Sequence, residues 1–196
     1  MCYNNFDELT GGNMKKILFT ASTLTDEDVS SLREEGYEII NGKFNYTEEE
    51  LIEATKDIDG YILGGDEYVS ENVLKAAKNI KSIVFFGTGY ETYIDVKAAS
   101  KLGVAVSNTP RANAYTVAEY TLAMMLDMVK RISVNDRKIN SERWDDSVWM
   151  TLKNKTIGIV GMGAIGTNLA RMLKNVFNSK IVYSGEYRNR LVEEEL

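Results

Sequence analysis

The sequence contains no histidine, the side chain most often used to transfer protons near neutral pH. Any acid–base catalysis within these 196 residues must therefore use another group. There is one cysteine, Cys2, so no disulfide can form within the chain. Because the first residues also lack the basic and apolar regions of a secretory signal, we expect a reducing, cytoplasmic setting.

Long apolar runs and clusters of basic residues are missing as well. Glu119 and Asp127 interrupt the longest apolar candidates, and none approaches the roughly 20 residues that span a bilayer. The net charge is -6, and the 23 basic residues are scattered along the chain. The sequence therefore argues against a membrane protein and against a nucleic-acid partner.

Short apolar runs alternate with helical segments through the first half of the chain. The runs are rich in β-branched and aromatic residues and lie at 17–20, 37–40, 61–63, 82–86 and 104–107. This alternation predicts an α/β lobe of parallel strands joined by crossover helices. We assign residues 14–107 to this lobe and treat the polar, aperiodic residues 1–13 as a tail.

Residues that start and stop helices lie between these runs. Candidate N-terminal caps are Thr25 with Asp28, Thr47 with Glu50, Ser70 and Asp95. Candidate stops in left-handed backbone are Gly36, Gly60 and Gly103. These signals support the helical assignment of the intervening segments.

A second lobe is predicted within residues 108–196, joined to the first by a helix from Ala112 to about Ile132. One face of this helix carries Val117, Thr121, Met124, Met128 and Ile132, and another carries Ala114, Ala118, Leu122, Met125 and Val129. A helix that is apolar nearly all round is expected to be buried. Only two further strands follow, at 156–160 and 181–183, so we expect an incomplete sheet.

The run Gly161-Met162-Gly163-Ala164-Ile165-Gly166 fits the pattern G-x-G-x-x-G between a predicted strand and a predicted helix. In that context the first glycine permits a tight turn, and the second lets the backbone approach a pyrophosphate. The third allows the helix to pack closely on the strand. The run therefore predicts a dinucleotide site, with a ligand-free glycine turn as the less favoured alternative.

An acidic residue about 20 positions further on binds the ribose hydroxyls in such sites. Glu186 is the candidate, although a solvated loop charge is an equal alternative. Arg188 nearby suits a 2′-phosphate, so the sequence leaves NAD and NADP both open.

A second glycine turn, Gly87-Thr88-Gly89, follows the strand at 82–86. Ligands of open α/β sheets bind at the carboxyl ends of strands, and backbone N–H groups there suit a carboxylate. Glycines after strands are common, so this turn by itself is weak evidence.

Several ordered motifs together resemble the D-isomer-specific 2-hydroxyacid dehydrogenases, among them phosphoglycerate dehydrogenase and glyoxylate or hydroxypyruvate reductase. The motifs are Gly87 to Glu91, Ile94 to Ala99, Gly103 to Pro110, Ala112 to Ala114, Val117 to Glu119, Trp144, Leu152 and Lys155 to Gly161. The resemblance extends over residues 15 to 190. It implies a flavodoxin-like substrate lobe followed by the first part of a Rossmann lobe that binds NAD(P).

The resemblance also implies roles for individual residues. Thr88 would contact the cofactor, the amides of Thr88 and Gly89 would hold the substrate carboxylate, and Ala164 with Ile165 would lie against the pyrophosphate. Two departures concern the cofactor, which we expect to be NAD, with NADP as the alternative. Ala164 replaces a frequent arginine, and Ser184 or Gly185 stands where NAD-dependent members carry aspartate.

The family's catalytic arginine, acidic residue and histidine follow the second strand of its cofactor lobe. Arg111, Arg131 and Arg171 precede that point or lie within assigned elements, so we assign no catalytic residue and no metal ligand. The resemblance implies oxidoreduction of a small 2-hydroxy or 2-oxo acid by an amino-terminal part that is inactive alone, and pairing into a homodimer. The alternatives are a noncatalytic dinucleotide-sensing or interaction protein, and a truncated reading frame without function.

Overall fold

A computed structural model describes residues 14–21, 25–141 and 148–195. They form two compact units, of which the first ends at Pro110 and the second begins at Arg111. The predicted tail at 1–13 and Trp144 lie outside the described residues. In the described part of the chain, no helix is both long and apolar enough to cross a bilayer.

The first unit contains a five-stranded parallel sheet with the order β2-β1-β3-β4-β5. Its strands are β1 (Lys16–Phe19), β2 (Glu38–Asn41), β3 (Gly60–Leu63), β4 (Ser82–Phe85) and β5 (Ala105–Asn108). Each begins and ends within one residue of a predicted run. The α/β fold class with a parallel sheet is therefore confirmed.

Four helices connect these strands: α1 (Ser30–Glu34), α2 (Glu48–Thr55), α3 (Glu71–Ala76) and α4 (Val96–Lys101). A single 3-10 turn, Tyr90–Thr92, follows β4. The capping box of Thr47 and Glu50 is present at α2. Ser70 accepts from the N–H of Val73, and Asp95 accepts from the N–H of Ala98.

Two of the predicted helix signals are wrong in part. Thr25 and Asp28 exchange hydrogen bonds, but they close the turn at 26–29 that leads into α1, which begins only at Ser30 with Val29 as its N-cap. Gly36 and Gly103 have φ of 89° and 74°, as expected of helix stops. Gly60 does not, because it is the first residue of β3, paired with Ile17 and Ser82.

The core of the first unit lies between the central strands and the helices. Leu18, Tyr61, Leu63 and Ile83 are each at most 1% exposed. Helix α2 contributes Leu51, which is fully buried against the same cluster. Burying each such side chain contributes about 1.5–3 kcal/mol, which explains why β1, β3 and β4 read as nearly continuous apolar runs.

Three buried polar side chains lie together in this core. The hydroxyl of Tyr61 donates to Oε1 of Glu67 at 2.6 Å and lies 3.4 Å from Oγ1 of Thr20. Oγ1 of Thr20 accepts from the N–H of Gly64 at 3.2 Å. Burial, and then the bond to Glu67, raise the pKa of Tyr61 above its usual value of 10.0. The turn after β3 is thereby tied to the core.

The second unit contains helices and a short sheet. Its helices are α5 (Ala114–Lys130), α6 (Ile132–Asn140), α7 (Ala164–Phe177) and α8 (Arg190–Glu195), and its strands are β6 (Thr156–Val160) and β7 (Lys180–Ser184). The two strands pair in parallel, with Ile157 opposite Ile181. In the described part of this unit the sheet has these two strands, and Val160 at its end is 92% exposed.

The expectation that the long helix is buried all round is wrong. Ala114, Ala118 and Val129 of α5 are buried, and α5 packs on α7. On the other face Met124 and Met128 are 52% and 69% exposed. Left-handed Arg131 ends α5, one residue before the predicted end of the helix. The helix has two apolar faces, and α7 covers one of them.

Candidate functional site

The glycine run of the second unit forms the turn between β6 and α7. Gly161 has a φ of 91°, a left-handed conformation that glycine adopts without a Cβ clash. Its N–H donates to the carbonyl of Ser184 at 2.7 Å. The turn is therefore fastened to the end of β7, the neighbouring strand.

The other two glycines of the run meet different surroundings. A Cβ on Gly166 would lie 2.2 Å from the carbonyl oxygen of Gly161 and 3.2 Å from Cγ2 of Ile159. Only glycine therefore allows α7 to pack this closely on β6. A Cβ on Gly163 would meet nothing within 4 Å, so the space in front of this residue is open.

Gly163 is the N-cap of α7, and no side chain caps this helix. The first turn carries no acidic residue, and Ile165 in that turn is 42% exposed. The N–H groups of a first helical turn have no partner within the helix, and the helix dipole places partial positive charge there. This end of α7 can hold an anion such as a pyrophosphate.

Residues 185–193 follow β7 and form a second wall beside this turn. A Cβ on Gly185 would lie 3.9 Å from the backbone nitrogen of Met162. Glu186 follows two residues after the last residue of β7, is exposed, and accepts from the hydroxyl of Tyr187 at 3.0 Å. These positions suit a ribose adjoining the phosphates, so the residues present fit a dinucleotide.

Arg188 and Glu193 form an ion pair on the same wall. Nε of Arg188 donates to Oε1 of Glu193 at 2.9 Å and to Oε2 at 2.7 Å. The hydroxyl of Tyr183 also donates to Oε1 of Glu193, at 2.6 Å. Tyr183 and then Arg188 lower the pKa of Glu193, while the bond to Glu193 raises the pKa of Tyr183.

Asn189 is a residue whose place in the site was not predicted from the sequence. Its Nδ2 donates to the carbonyl of Met162 at 3.1 Å, and its Oδ1 accepts from the N–H of Val192 at 3.3 Å. It thus links the glycine turn to the start of α8. An asparagine just before a helical segment is a capping signal that would have pointed to the second of these bonds.

In the first unit, the turn Gly87-Thr88-Gly89 is fixed by the last residue of β5 and the residue that follows it. The carbonyl of Gly87 accepts from the N–H of Thr109 at 3.0 Å, and that of Thr88 accepts from Nδ2 of Asn108 at 2.8 Å. A trans peptide directs its N–H opposite to its carbonyl. The N–H groups of Thr88 and Gly89 therefore point away from β5.

These two amides are available to a ligand. Thr88 and Gly89 are exposed, and a Cβ on Gly89 would meet nothing within 4 Å. A Cβ on Gly87 would lie 2.5 Å from Cε1 of Phe85, whose ring stacks on Tyr93 with centroids 4.8 Å apart. The anchoring role of Asn108 and Thr109 was not predicted, because it depends on β5 lying beside β4.

The predicted site residues thus fall into two groups. Thr88 and Gly89 lie in the first unit, whereas Gly161, Gly163, Ala164, Ile165, Gly166 and Glu186 lie in the second. Within the second unit, the glycine turn lies beside the end of β7. The contact of Thr88 with the cofactor stays a prediction. Among the described residues, no group of three or more candidate ligands can hold a metal ion.

Comparison with known proteins identifies relatives of similar sequence. A glyoxylate reductase from Aeropyrum pernix is 35% identical over 112 residues, which are 53% of this chain and 33% of that protein. A D-3-phosphoglycerate dehydrogenase from Archaeoglobus fulgidus is 32% identical over 92 residues, which are 46% of this chain and 18% of that protein. This chain therefore spans a third or less of these curated relatives.

Solved structures agree on the fold. The NAD⁺-bound 3-phosphoglycerate dehydrogenase of Entamoeba histolytica superposes with a TM-score of 0.70 at 27% identity, covering 90% of this chain and 56% of that one. The family model for the D-isomer specific 2-hydroxyacid dehydrogenase catalytic domain matches residues 17–195. Since this match includes nearly the whole sequence, the chain belongs to the D-isomer specific 2-hydroxyacid dehydrogenase family.

Proposed function

We propose that this chain is part of an NAD-dependent oxidoreductase that acts on the CH–OH group of a small D-2-hydroxy acid in a reducing, cytoplasmic setting. The observation that carries the proposal is the turn at Gly161, Gly163 and Gly166. It leaves an uncapped helix N-terminus open to solvent and forbids a side chain where α7 meets β6. The NAD⁺-bound relative supports the choice of cofactor.

The second unit binds and orients the dinucleotide in this proposal. The N–H groups at the start of α7, with Ala164 and Ile165 beside them, hold the pyrophosphate, and Glu186 accepts from the ribose hydroxyls. The cofactor held there would supply the hydride exchange with the substrate carbon that carries the hydroxyl. Asn189 keeps the turn in place through the carbonyl of Met162.

The first unit binds the substrate carboxylate through the N–H groups of Thr88 and Gly89. Both amides belong to a turn whose carbonyls are already bonded to Asn108 and Thr109, so little reorganisation accompanies binding. The substrate is a 2-hydroxy acid or the corresponding 2-oxo acid.

Proton exchange with the substrate hydroxyl needs an acid–base group. The 196 residues contain no histidine that could provide it. General acid–base catalysis typically contributes about 10²- to 10⁴-fold. We therefore expect the 196-residue chain to bind cofactor without measurable turnover by itself.

The test is a fluorescence titration of the purified chain with NADH and NADPH. We expect saturable NADH binding that is weakened at least about tenfold by Gly163→Asp, because this change puts a negative charge beside the pyrophosphate. Gly163 has ordinary backbone angles and open surroundings, so the variant should still fold.

Gly163→Ala is the matched control, since it adds a Cβ without charge and should weaken binding less than the aspartate. If the folded wild-type chain binds neither nucleotide, the proposal is wrong. Equal binding by wild type and Gly163→Asp would mean that NADH binds elsewhere.

A noncatalytic dinucleotide-sensing protein is a second candidate, favoured by the absence of histidine from the sequence. The two candidates differ in what accompanies the chain. The dehydrogenase requires that a further segment carrying an arginine, an acidic residue and a histidine restore turnover when it is supplied with this chain. Cofactor binding without restored turnover would favour the sensor.

We further propose that the chain forms a homodimer through the exposed face of α5 and the half-exposed Trp149. Tyr120, Met124 and Met128 of α5, and Ile132 at the start of α6, are each more than half exposed, which is an unusual concentration of apolar side chains for a solvated surface. Light scattering after gel filtration should give twice the monomer mass for wild type and the monomer mass for Met128→Glu. A monomeric wild type would contradict this pairing.

A further inference from the structure

The segment that follows β7 carries charges of both signs. Arg188 and Arg190 are its cations, and Glu186 and Glu193 are two of its carboxylates. Arg188 is bonded to Glu193 through Nε, and Arg190 also lowers the pKa of Glu193 through its charge. The side chain of Glu193 is 28% exposed, against 73% for Arg188. Glu193 is therefore the fixed partner of this pair.

Glu193 is held by more than the arginine. The hydroxyl of Tyr183, a residue of β7, donates to Oε1 of Glu193 at 2.6 Å and accepts from the N–H of Asn189 at 2.8 Å. Asn189 in turn bonds to the carbonyl of Met162 in the glycine turn. The carboxylate is thus positioned relative to the dinucleotide turn by a continuous set of hydrogen bonds.

NAD and NADP differ by the phosphate on the adenosine ribose, which carries up to two negative charges at neutral pH. An arginine near the ribose accommodates that phosphate in NADP-binding members of this fold class. Here Arg188, the arginine that the sequence offers for this role, is already paired with a fixed carboxylate, and Glu186 adds a second negative charge. Both features oppose a 2′-phosphate.

We propose that Glu193 is a specificity-determining residue that selects NAD over NADP by holding and neutralising Arg188. This inference rests on the proposed dinucleotide site of the second unit. Glu193 acts on the phosphate through charge and through Arg188, so it is a positioning residue and takes no part in the hydride transfer.

The experiment compares the dissociation constants of NADH and NADPH for the 196-residue chain and for Glu193→Gln. Glutamine keeps an oxygen that accepts from Tyr183 while removing the charge. We expect the ratio of the NADPH constant to the NADH constant to fall by about threefold to tenfold, because one repulsive charge is removed and one cation is released.

Glu194→Gln is the matched control, since it makes the same change of charge at the next residue of α8, and it should alter the ratio less than about twofold. The double variant Glu193→Gln with Arg188→Gln should lose the gain, because the released cation is gone. Thermal unfolding of each variant checks that α8 is retained.

The outcomes separate this inference from the proposed function. If wild type binds neither nucleotide, the proposed function fails and this inference fails with it. If wild type binds NADH but Glu193→Gln leaves the ratio unchanged, only this inference is overturned. An equal shift in Glu194→Gln would also overturn it, since the effect would then be one of net charge.

Discussion

Replacing Gly166 by alanine is expected to destabilise the second unit by about 1–3 kcal/mol and to abolish NADH binding. The new Cβ would lie 2.2 Å from the carbonyl oxygen of Gly161, which is a backbone atom. Relief requires α7 to move away from β6 or the turn to open. Either movement displaces the amides that we propose to hold the pyrophosphate, so stability and binding should be lost together.

Urea unfolding followed by tryptophan fluorescence, together with an NADH titration, measures both losses. Gly158→Ala is the matched control, because Gly158 is an exposed residue of β6 whose added Cβ would meet nothing within 4 Å. We expect the control to unfold at the wild-type urea concentration. A Gly166→Ala variant with wild-type stability and affinity would show that the close packing of α7 on β6 is not required.

Tyr61→Phe is expected to destabilise the first unit by about 1–3 kcal/mol. The change removes one hydroxyl and leaves the ring in place. Glu67, which is 3% exposed, would lose its hydrogen bond from Tyr61, and its Oε2 already lacks a partner among the described residues. A buried carboxylate without partners costs more free energy than the hydrogen bond alone contributes.

The same variant should change how stability depends on pH. The folded pKa of Tyr61 is raised above the usual 10.0, so above pH 10 the unfolded chain releases this proton while the folded chain retains it. The unfolded state then binds fewer protons, and the wild-type free energy of unfolding falls as pH rises, by up to about 1.4 kcal/mol per pH unit. Tyr61→Phe has no such proton to release. The difference in free energy of unfolding between this variant and wild type should therefore shrink above pH 10.

Hydrogen exchange measured over residues 60–85 reports on the first unit separately from the second. Tyr68→Phe is the control, because Tyr68 is 49% exposed and its loss of a hydroxyl should change stability by less than about 0.5 kcal/mol. Equal stability of Tyr61→Phe and wild type at pH 8 would mean that the buried hydrogen bond to Glu67 contributes nothing.

The elements that could be predicted are those whose signal is local. Strands such as β3 and β4 are apolar runs bounded by turn residues, and parallel central strands must be apolar on both faces. The turn at Gly161, Gly163 and Gly166 was predicted with its context because its pattern lies within six residues. Glu186 was located as a candidate, and its role stays a prediction.

The features that could not be predicted depend on which elements become neighbours. The sequence of α5 has two apolar faces, and nothing in it indicates that α7 covers only one of them. The anchoring of Thr88 by Asn108 requires β5 to lie beside β4. Gly60 belongs to β3 because it pairs with Ile17 and Ser82, and these residues lie on other strands.

The amino-acid sequence by itself determined the alternation of strands and helices, the chemistry of the glycine turn and the absence of a histidine, because these depend on residue type and short spacing. Tertiary structure decided the rest. It placed α7 so close to β6 that Gly166 has no room for a Cβ. It also buried Glu67 beside Tyr61. It also joined Arg188, Glu193 and Tyr183, since contacts between separate segments arise only when the chain packs.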